Sequence, residues 1–435
     1  MLIEFSVRNF KTFKEKATLS LLASNYDKST REEENIIEEN KFNYRILKSA
    51  VTYGANASGK SKFIEALGFM KSFVVNSSKN SQKGDKIKVE PFKLNLESET
   101  EPSEFEVIFI YKELMYRYGF EVNKEKVIAE WLYVKEKKKE VELFYRELQD
   151  FEFHNRNFSK GKKLVKEGLV RDNALLLSVS AQFNDEQSEN IIKWFKNLGI
   201  ISGLREEGYE GFTISKTKDE NFKLKILSLL KAADLGIQDI KLELFDLENL
   251  PNDMPNELKE FLRKQAEENS SAEILSDVLT SHKKYDANKE VVGSVSFSMD
   301  EDESFGTKKF FALTGPVLDS LEKGHPLIVD ELDSKLHPNL VCKIVSLFNS
   351  KEHNPNNAQL IFNTHDTNLL NSGLFRRDQI WFTEKNKLGE ASLYSLADFK
   401  SSEVRKEEQF EENYIRGKYG AIPYLGFFDD LKYTH

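Results

Sequence analysis

The segment Gly54-Ala55-Asn56-Ala57-Ser58-Gly59-Lys60-Ser61 constrains this chain more than any other. A run that reads as a strand, Arg45 to Tyr53, leads into it. A helix follows, with Phe63, Ile64, Leu67 and Met70 at helical spacing. Glycines at both ends let the backbone turn tightly, so that N–H groups from Asn56 to Ser61 point at one centre. Strand, glycine-rich turn and helix in that order form a loop that cradles a phosphate chain. Lys60 is then placed to neutralise β- and γ-phosphates, and the Ser61 hydroxyl to ligate Mg²⁺. Gly54, Asn56, Ala57, Ser58, Gly59 and Lys62 complete the expected nucleotide-binding stretch.

A second strand end carries acid. Pro326-Leu327-Ile328-Val329 is an apolar strand that delivers Asp330 and Glu331 at its carboxyl end, where ligands collect in open α/β sheets. Asp330 suits the Walker B task of holding Mg²⁺. Glu331, one residue on, points elsewhere and suits the polarisation of an attacking water. The alternative for this pair is a simple cap on the next helix.

Composition narrows the class. The chain has 435 residues, which predicts two or three structural units. With 39 % hydrophobic residues it has enough apolar material for a real core, so wholesale disorder is excluded. The net charge of −9 advertises no nucleic-acid binder. Cys342 is the single cysteine, which excludes a disulfide framework and any cysteine-ligated zinc or iron–sulfur centre. The opening residues, Met1 to Phe13, alternate apolar and polar side chains, with Arg8 and Lys11 among them and no apolar h-region. No stretch approaches the ~18 uncharged apolar residues that a bilayer demands. A cytoplasmic protein without a membrane role is expected.

Along the chain, Leu2 to Arg8 reads as a strand and residues 25–45, rich in charge and Asn, as a mobile surface excursion. Period-two alternation runs from Lys86 to Tyr145, with Phe105–Tyr111 and Tyr116–Val122 as neighbouring antiparallel strands. Lys135 to Lys139 reads as a hairpin tip. Helices dominate from Glu186 to Ala233, Ile237 to Phe245 alternates, and Asn256 to Leu279 reads as a charged helix without a coiled-coil heptad. From Val291 onward strands and helices alternate (Val291–Met299, Thr307–Glu322, Pro326–Val329, Asn339–Asn349, Gln359–Asn363), which predicts a largely parallel sheet. Arg376 and Arg377 read as a solvated helix end rather than a nucleic-acid contact.

Three further motifs carry a family resemblance. Glu303-Ser304-Phe305-Gly306-Thr307 opens a helix ahead of the Asp330 strand and resembles the signature of ABC-type ATPases. Asp333-Ser334-Lys335-Leu336-His337-Pro338 resembles the D-loop, and Asn363-Thr364-His365-Asp366 the switch-histidine loop. In order and spacing these are similar to the ABC/SMC-type ATPase superfamily, in its overcoming-lysogenisation-defect-like and RecF-like branch. Within it the chain resembles the small AAA-type ATP-binding proteins (the AAA15 family) of bacterial antiphage defence loci. Val7–Phe13, Val329–Pro338, Arg377–Phe382 and Tyr414–Pro423 carry that narrower likeness, over the first ~75 residues and everything past about 290. The signature departs from the transporter pattern at Glu303, Phe305 and Thr307. Gln182 and Gln238 are the candidates for a Q-loop glutamine.

The resemblance implies an ABC-type ATPase head: an α/β P-loop fold with a mixed, mainly parallel core sheet and an adjoining antiparallel β subdomain. A helical insertion takes the place of a long coiled coil. Residues 1–75 and 290–400 would form the core, 86–150 the β subdomain, 151–289 the insertion and 401–435 a tail. It further implies ATP and Mg²⁺ as cofactors, with His365 beside Lys60 and Glu331 in catalysis and Asp333 in the D-loop. Ser304, Gly306 and Thr307 would act in trans, closing an ATP sandwich in a homodimer or higher homo-oligomer. Slow ATP hydrolysis would control a co-encoded effector, a nuclease or toxin. A RecF-like clamp on DNA is the alternative, with DNA or RNA the less favoured partner; a transporter ATPase is a third reading, which the long insertion opposes.

Overall fold

Alternating residues of Leu2–Arg8 form strand β1 in the computed structural model, which describes residues 1–79, 82–154, 158–244, 254–257, 259–260, 264, 275–399 and 409–423. Two compact units emerge. The first takes Met1–Leu204, Ser320–Ser334 and Val341–His435; the second takes Arg205–Asp319 and Lys335–Leu340.

In the first unit, β1 pairs antiparallel with Ala17–Ser20 (β2) on one side and Ser103–Tyr111 on the other. Residues 25–45 are more ordered than their charge suggests. Ile36–Glu39 (β3) and Tyr44–Leu47 (β4) make a hairpin that buries Ile36, Ile37 and Phe42. The single strand expected over Arg45–Tyr53 is two strands. The Lys48 N–H donates to the Asn35 carbonyl and its own carbonyl accepts from Leu360, so the backbone changes partners there. Ser49–Tyr53 (β5) then runs wholly buried.

Period-two pairing begins at residue 103, later than the alternation from Lys86 suggests. Ser103–Tyr111 (β6), Leu114–Val122 (β7), Val127–Lys135 (β8), Glu140–Glu147 (β9) and Asp150–Glu152 (β10) extend the antiparallel sheet in the order β10-β9-β8-β7-β6-β1-β2. The tip between β8 and β9 is the lysine run, as its charge predicts.

The core sheet lies in the same unit. Gly199–Ser202 (β11) is a parallel edge strand inside a stretch expected to be helical. The order is β11-β15-β16-β5-β17-β18, where Pro326–Asp330 is β15, Gln359–Asn363 β16, Ile380–Lys385 β17 and Ala391–Ser395 β18. All neighbours are parallel except β17 and β18. This is the mixed, mainly parallel α/β sheet that the sequence predicts, with an antiparallel sheet beside it.

Helix Lys60–Asn76 fastens the two sheets through one core. Its Phe63, Ile64, Leu67 and Met70 are buried, and Phe63 meets Phe5 of β1 edge-on at 5.2 Å. Phe69 lies 5.0 Å from Phe105 of β6, and Ile328 and Ile361 of the parallel sheet join the same cluster. Burial of this many aromatic faces is the main stabilising term.

The second unit holds Ile237–Leu244 (β12), Leu275–Tyr285 (β13) and Val291–Ser298 (β14) as one antiparallel sheet, with helices Glu207–Lys216 and Glu220–Ala232. Two expectations change here. Leu275–Leu279 is strand rather than the end of a charged helix; most of the remainder of that proposed helix lies outside the described residues. Val291–Met299 does not join the parallel sheet: Ser294, Ser296 and Ser298 alternate along β14, whose residues are mostly exposed, whereas a parallel strand is covered on both faces. Among the described residues, no helix is long and apolar enough to cross a membrane.

Candidate functional site

Parallel pairing brings three loops to one edge. Strand β16 lies between β15 and β5, with Leu360 opposite both Leu327 and Ser49. The carboxyl ends of these strands release Gly54–Ser61, Asp330-Glu331 and Asn363-Thr364-His365 side by side.

The glycine-rich loop is sterically specified. Gly54 has φ of +156°, and a side chain there would collide with the Thr383 carbonyl and Ser58 Oγ. Gly59, at φ +122°, opens the helix beneath Phe13 and Ala391. Ala57 takes a left-handed φ of +61°, a conformation that costs a non-glycine residue about 1 kcal/mol. Ser58 Oγ locks to Thr383 Oγ1 at 2.7 Å. The Lys60 side chain folds back into the loop, where Nζ donates to Gly54 O at 2.6 Å and Ala55 O at 3.2 Å. Burial lowers its pKa to about 8, against the opposing pull of Glu331, Asp330 and Asp333.

Asn363 bridges the two acids, from the Asp330 side chain to the Glu331 backbone. Its Nδ2 donates to Asp330 Oδ1 at 2.6 Å, and its Oδ1 accepts from the Glu331 N–H at 2.5 Å. Glu331 holds a left-handed φ of +55°, which turns its side chain away from the strand direction of Asp330. Asp333 Oδ2 accepts the His365 N–H at 3.2 Å. A cavity of about 430 Å³ collects these groups: Asn56 to Lys62, Glu331 and His365 line it, together with Thr12 and Lys385. Gly54 lies in the wall of an adjoining cavity. Sequence reasoning gave Thr12 and Lys385 no part in the site. Thr12 Oγ1 is buried without a hydrogen-bond partner; Thr12 is held by the Ala391 N–H on its carbonyl, a long-range contact with no local signal.

Among the described residues no cluster of three or more His, Cys, Asp or Glu side chains could hold a metal by itself. The hydroxyl of Ser61, in the cavity lining, and the carboxylate of Asp330, at the end of β15 and outside that lining, are the hard oxygen donors expected to hold Mg²⁺. That set fits Mg²⁺ completed by nucleotide oxygens and water, and does not fit a metal caged by protein alone.

The signature residues belong to the second unit. Ser304 Oγ accepts the Thr307 N–H at 3.1 Å and pairs with Thr307 Oγ1 at 2.9 Å, capping helix Phe305–Lys323. Glu303 accepts from Thr280 Oγ1 and bonds His282 Nε2, each at 2.7 Å. A Cβ on Gly306 would stand 3.1 Å from the Lys335 carbonyl. Neither Gln182 nor Gln238 lines the phosphate-loop cavity; Gln238 bonds the Gly236 carbonyl instead.

Arg376 is no solvated helix end. It is 1 % exposed, and its five N–H groups meet Asp378, Glu32 and the carbonyls of Asp27 and Thr30. Arg377 bonds the Leu396 and Phe399 carbonyls. Both arginines are structural.

No curated protein matches the sequence. Among solved structures the chain is similar to the SMC head domain from Thermotoga maritima, at 12 % identity and a TM-score of 0.41 over 91 % of this chain and 98 % of that one. It is similar to an SmcHead bound to the C-winged helix domain of ScpA, at 13 % identity and a TM-score of 0.41 over 91 % and 97 %. The family profile described as "AAA domain, putative AbiEii toxin, Type IV TA system" matches residues 50–371, well over half of the chain. The chain belongs to this AAA-domain family of ATPases.

Proposed function

We propose that the protein is an ABC-type ATPase that binds and slowly hydrolyses ATP, and that its cycle is a switch in bacterial antiphage defence that controls a nuclease or toxin effector. The observation that carries the ATPase reading is the convergence of Lys60, Glu331 and His365 on one cavity at the parallel strand ends. The family description names a putative toxin of a type IV toxin–antitoxin system, which supports a role in such a system and names no separate effector.

In this reading the loop N–H groups take the phosphates, and the Lys60 ammonium leaves the Gly54 and Ala55 carbonyls for the β- and γ-phosphate oxygens. Ser61 and Asp330 hold Mg²⁺, which supplies charge neutralisation when bound. Glu331 accepts a proton from the attacking water, Asn363 fixes its backbone, and His365 faces the γ-phosphate. Ser304, Gly306 and Thr307 of a second copy close the site, with Asp333 at the junction. The water oxygen bonds to the γ-phosphorus as the bond from that phosphorus to the β–γ bridging oxygen breaks, ADP leaves with the bridging oxygen, and the pair separates.

Lys60→Ala tests the first half. It removes the one buried cation of the loop, so ATP affinity by calorimetry should fall at least about tenfold; wild-type affinity would overturn the phosphate-loop assignment. Phage plating on cells carrying the native locus tests the second half. Protection that is lost with Lys60→Ala supports the switch, and equal plaque counts with and without the locus oppose it.

A further inference from the structure

The run Tyr414 to Ala421 has no part in the catalytic reading, yet the chain builds it onto both loops that frame the phosphate cavity. Helix Phe410–Ile415 places Glu411 against the turn Thr367–Asn371, immediately after His365. Glu411 Oε1 accepts from Thr367 Oγ1 at 3.0 Å, Oε2 accepts from Asn371 Nδ2 at 2.9 Å, and the Glu411 N–H donates back to Asn371 Oδ1. One turn later the Tyr414 ring stacks on Phe382 at 5.4 Å and lies 5.8 Å from Tyr53, the last residue before the phosphate loop. Its hydroxyl donates to the Ala421 carbonyl at 3.1 Å. Burial pushes the Tyr414 phenol up to about 12.

The return of the segment is sterically fixed. Gly420 has φ of +71°, and a Cβ there would press on the Tyr394 hydroxyl at 2.8 Å; Tyr394 itself donates to the Tyr419 carbonyl. Between this segment and the phosphate loop lies a cavity of about 790 Å³, walled by Tyr53, Tyr414 and Ile422 on one side and by Asn56, Ser58 and His365 on the other. Asn56, Ser58 and His365 also line the 430 Å³ cavity. The strap lines only the larger cavity, so it reaches the phosphate cavity through these shared residues.

We propose that Gln409–Ala421 is a positioning strap, in which the Tyr414 ring holds Tyr53 at the entry to the phosphate loop and Glu411 holds the turn that follows His365. The inference rests on the ATPase reading. Neither residue touches the phosphates; each acts through another. Their effects separate, because the phosphate loop serves ground-state binding whereas the His365 loop serves the chemical step.

Full-length Tyr414→Phe and Glu411→Ala, with Glu411→Gln as the conservative partner, test it by three readouts: Kd for a non-hydrolysable ATP analogue, kcat for phosphate release, and Tm. Tyr414→Phe removes the bond to the Ala421 carbonyl that closes the strap, and should raise Kd about fivefold with kcat little changed. Glu411→Ala should lower kcat about tenfold with Kd unchanged. Glu411→Gln keeps one acceptor and should recover part of that loss. Variants that lower Tm but keep wild-type Kd and kcat overturn the strap and leave an ordinary packing segment. Wild-type protein that neither binds nor hydrolyses ATP overturns the ATPase reading and the strap with it.

Discussion

Asn363 joins the two acids of the site through one carboxamide, to the Asp330 side chain and to the Glu331 backbone. Removing it leaves Asp330 without its donor and frees the left-handed Glu331 turn. Asn363→Ala should therefore lower the steady-state hydrolysis rate roughly 10–100-fold while ATP affinity stays near wild type, as losses in a supporting shell do. A variant with wild-type turnover would show that the carboxamide is dispensable. The residues of the phosphate loop and of Pro326–Glu331 are legible in the sequence because strand, turn and acid are neighbours in the chain. The link made by Asn363 is not, since its partners come from a different strand and nothing local marks an asparagine as the bridge. Thr12 escapes for the same reason.

At the scale of elements, strands whose burial is uniform are read correctly from apolar runs: β5, β15 and β16 are buried along all or nearly all their length. Elements defined by their partners are not. The break between β4 and β5 depends on Asn35 and Leu360, and β14 is placed by its antiparallel pairing with β13. The Arg376 segment shows the same limit: two adjacent arginines look solvated until Asp27, Thr30, Glu32 and Asp378 are folded around the first. Arg376→Met strips five hydrogen bonds from that cluster and takes the cation from beside Asp378, while Glu32 keeps Arg45. It should cost about 3 kcal/mol, read as a lower midpoint in urea unfolding with an unchanged slope. A change below about 0.5 kcal/mol would mean that the cluster is satisfied by water instead.

For the whole molecule, a charge of −9 sets the expected partner. A clamp on DNA needs phosphate contacts, so its affinity would fall steeply with salt and depend on ATP. A switch for a protein effector should bind duplex weakly, and equally with and without ATP; fluorescence anisotropy at physiological salt measures this, and tight ATP-gated binding would favour the clamp. The central claim is that ATP closes two copies around the signature and that Glu331 reopens them. Glu331→Gln keeps side-chain size and leaves Lys60, Ser61 and Asp330 to bind Mg-ATP, but removes the base, at a cost of roughly 10²–10⁴ in rate. Its mass in solution with Mg-ATP, by size-exclusion chromatography with light scattering, is the most direct test. The account predicts a stable ATP-bound dimer that Ser304→Arg, added to Glu331→Gln, abolishes by placing bulk where the second copy's γ-phosphate must sit. A Glu331→Gln protein that hydrolyses ATP normally, or a double variant that dimerises equally well, would contradict it.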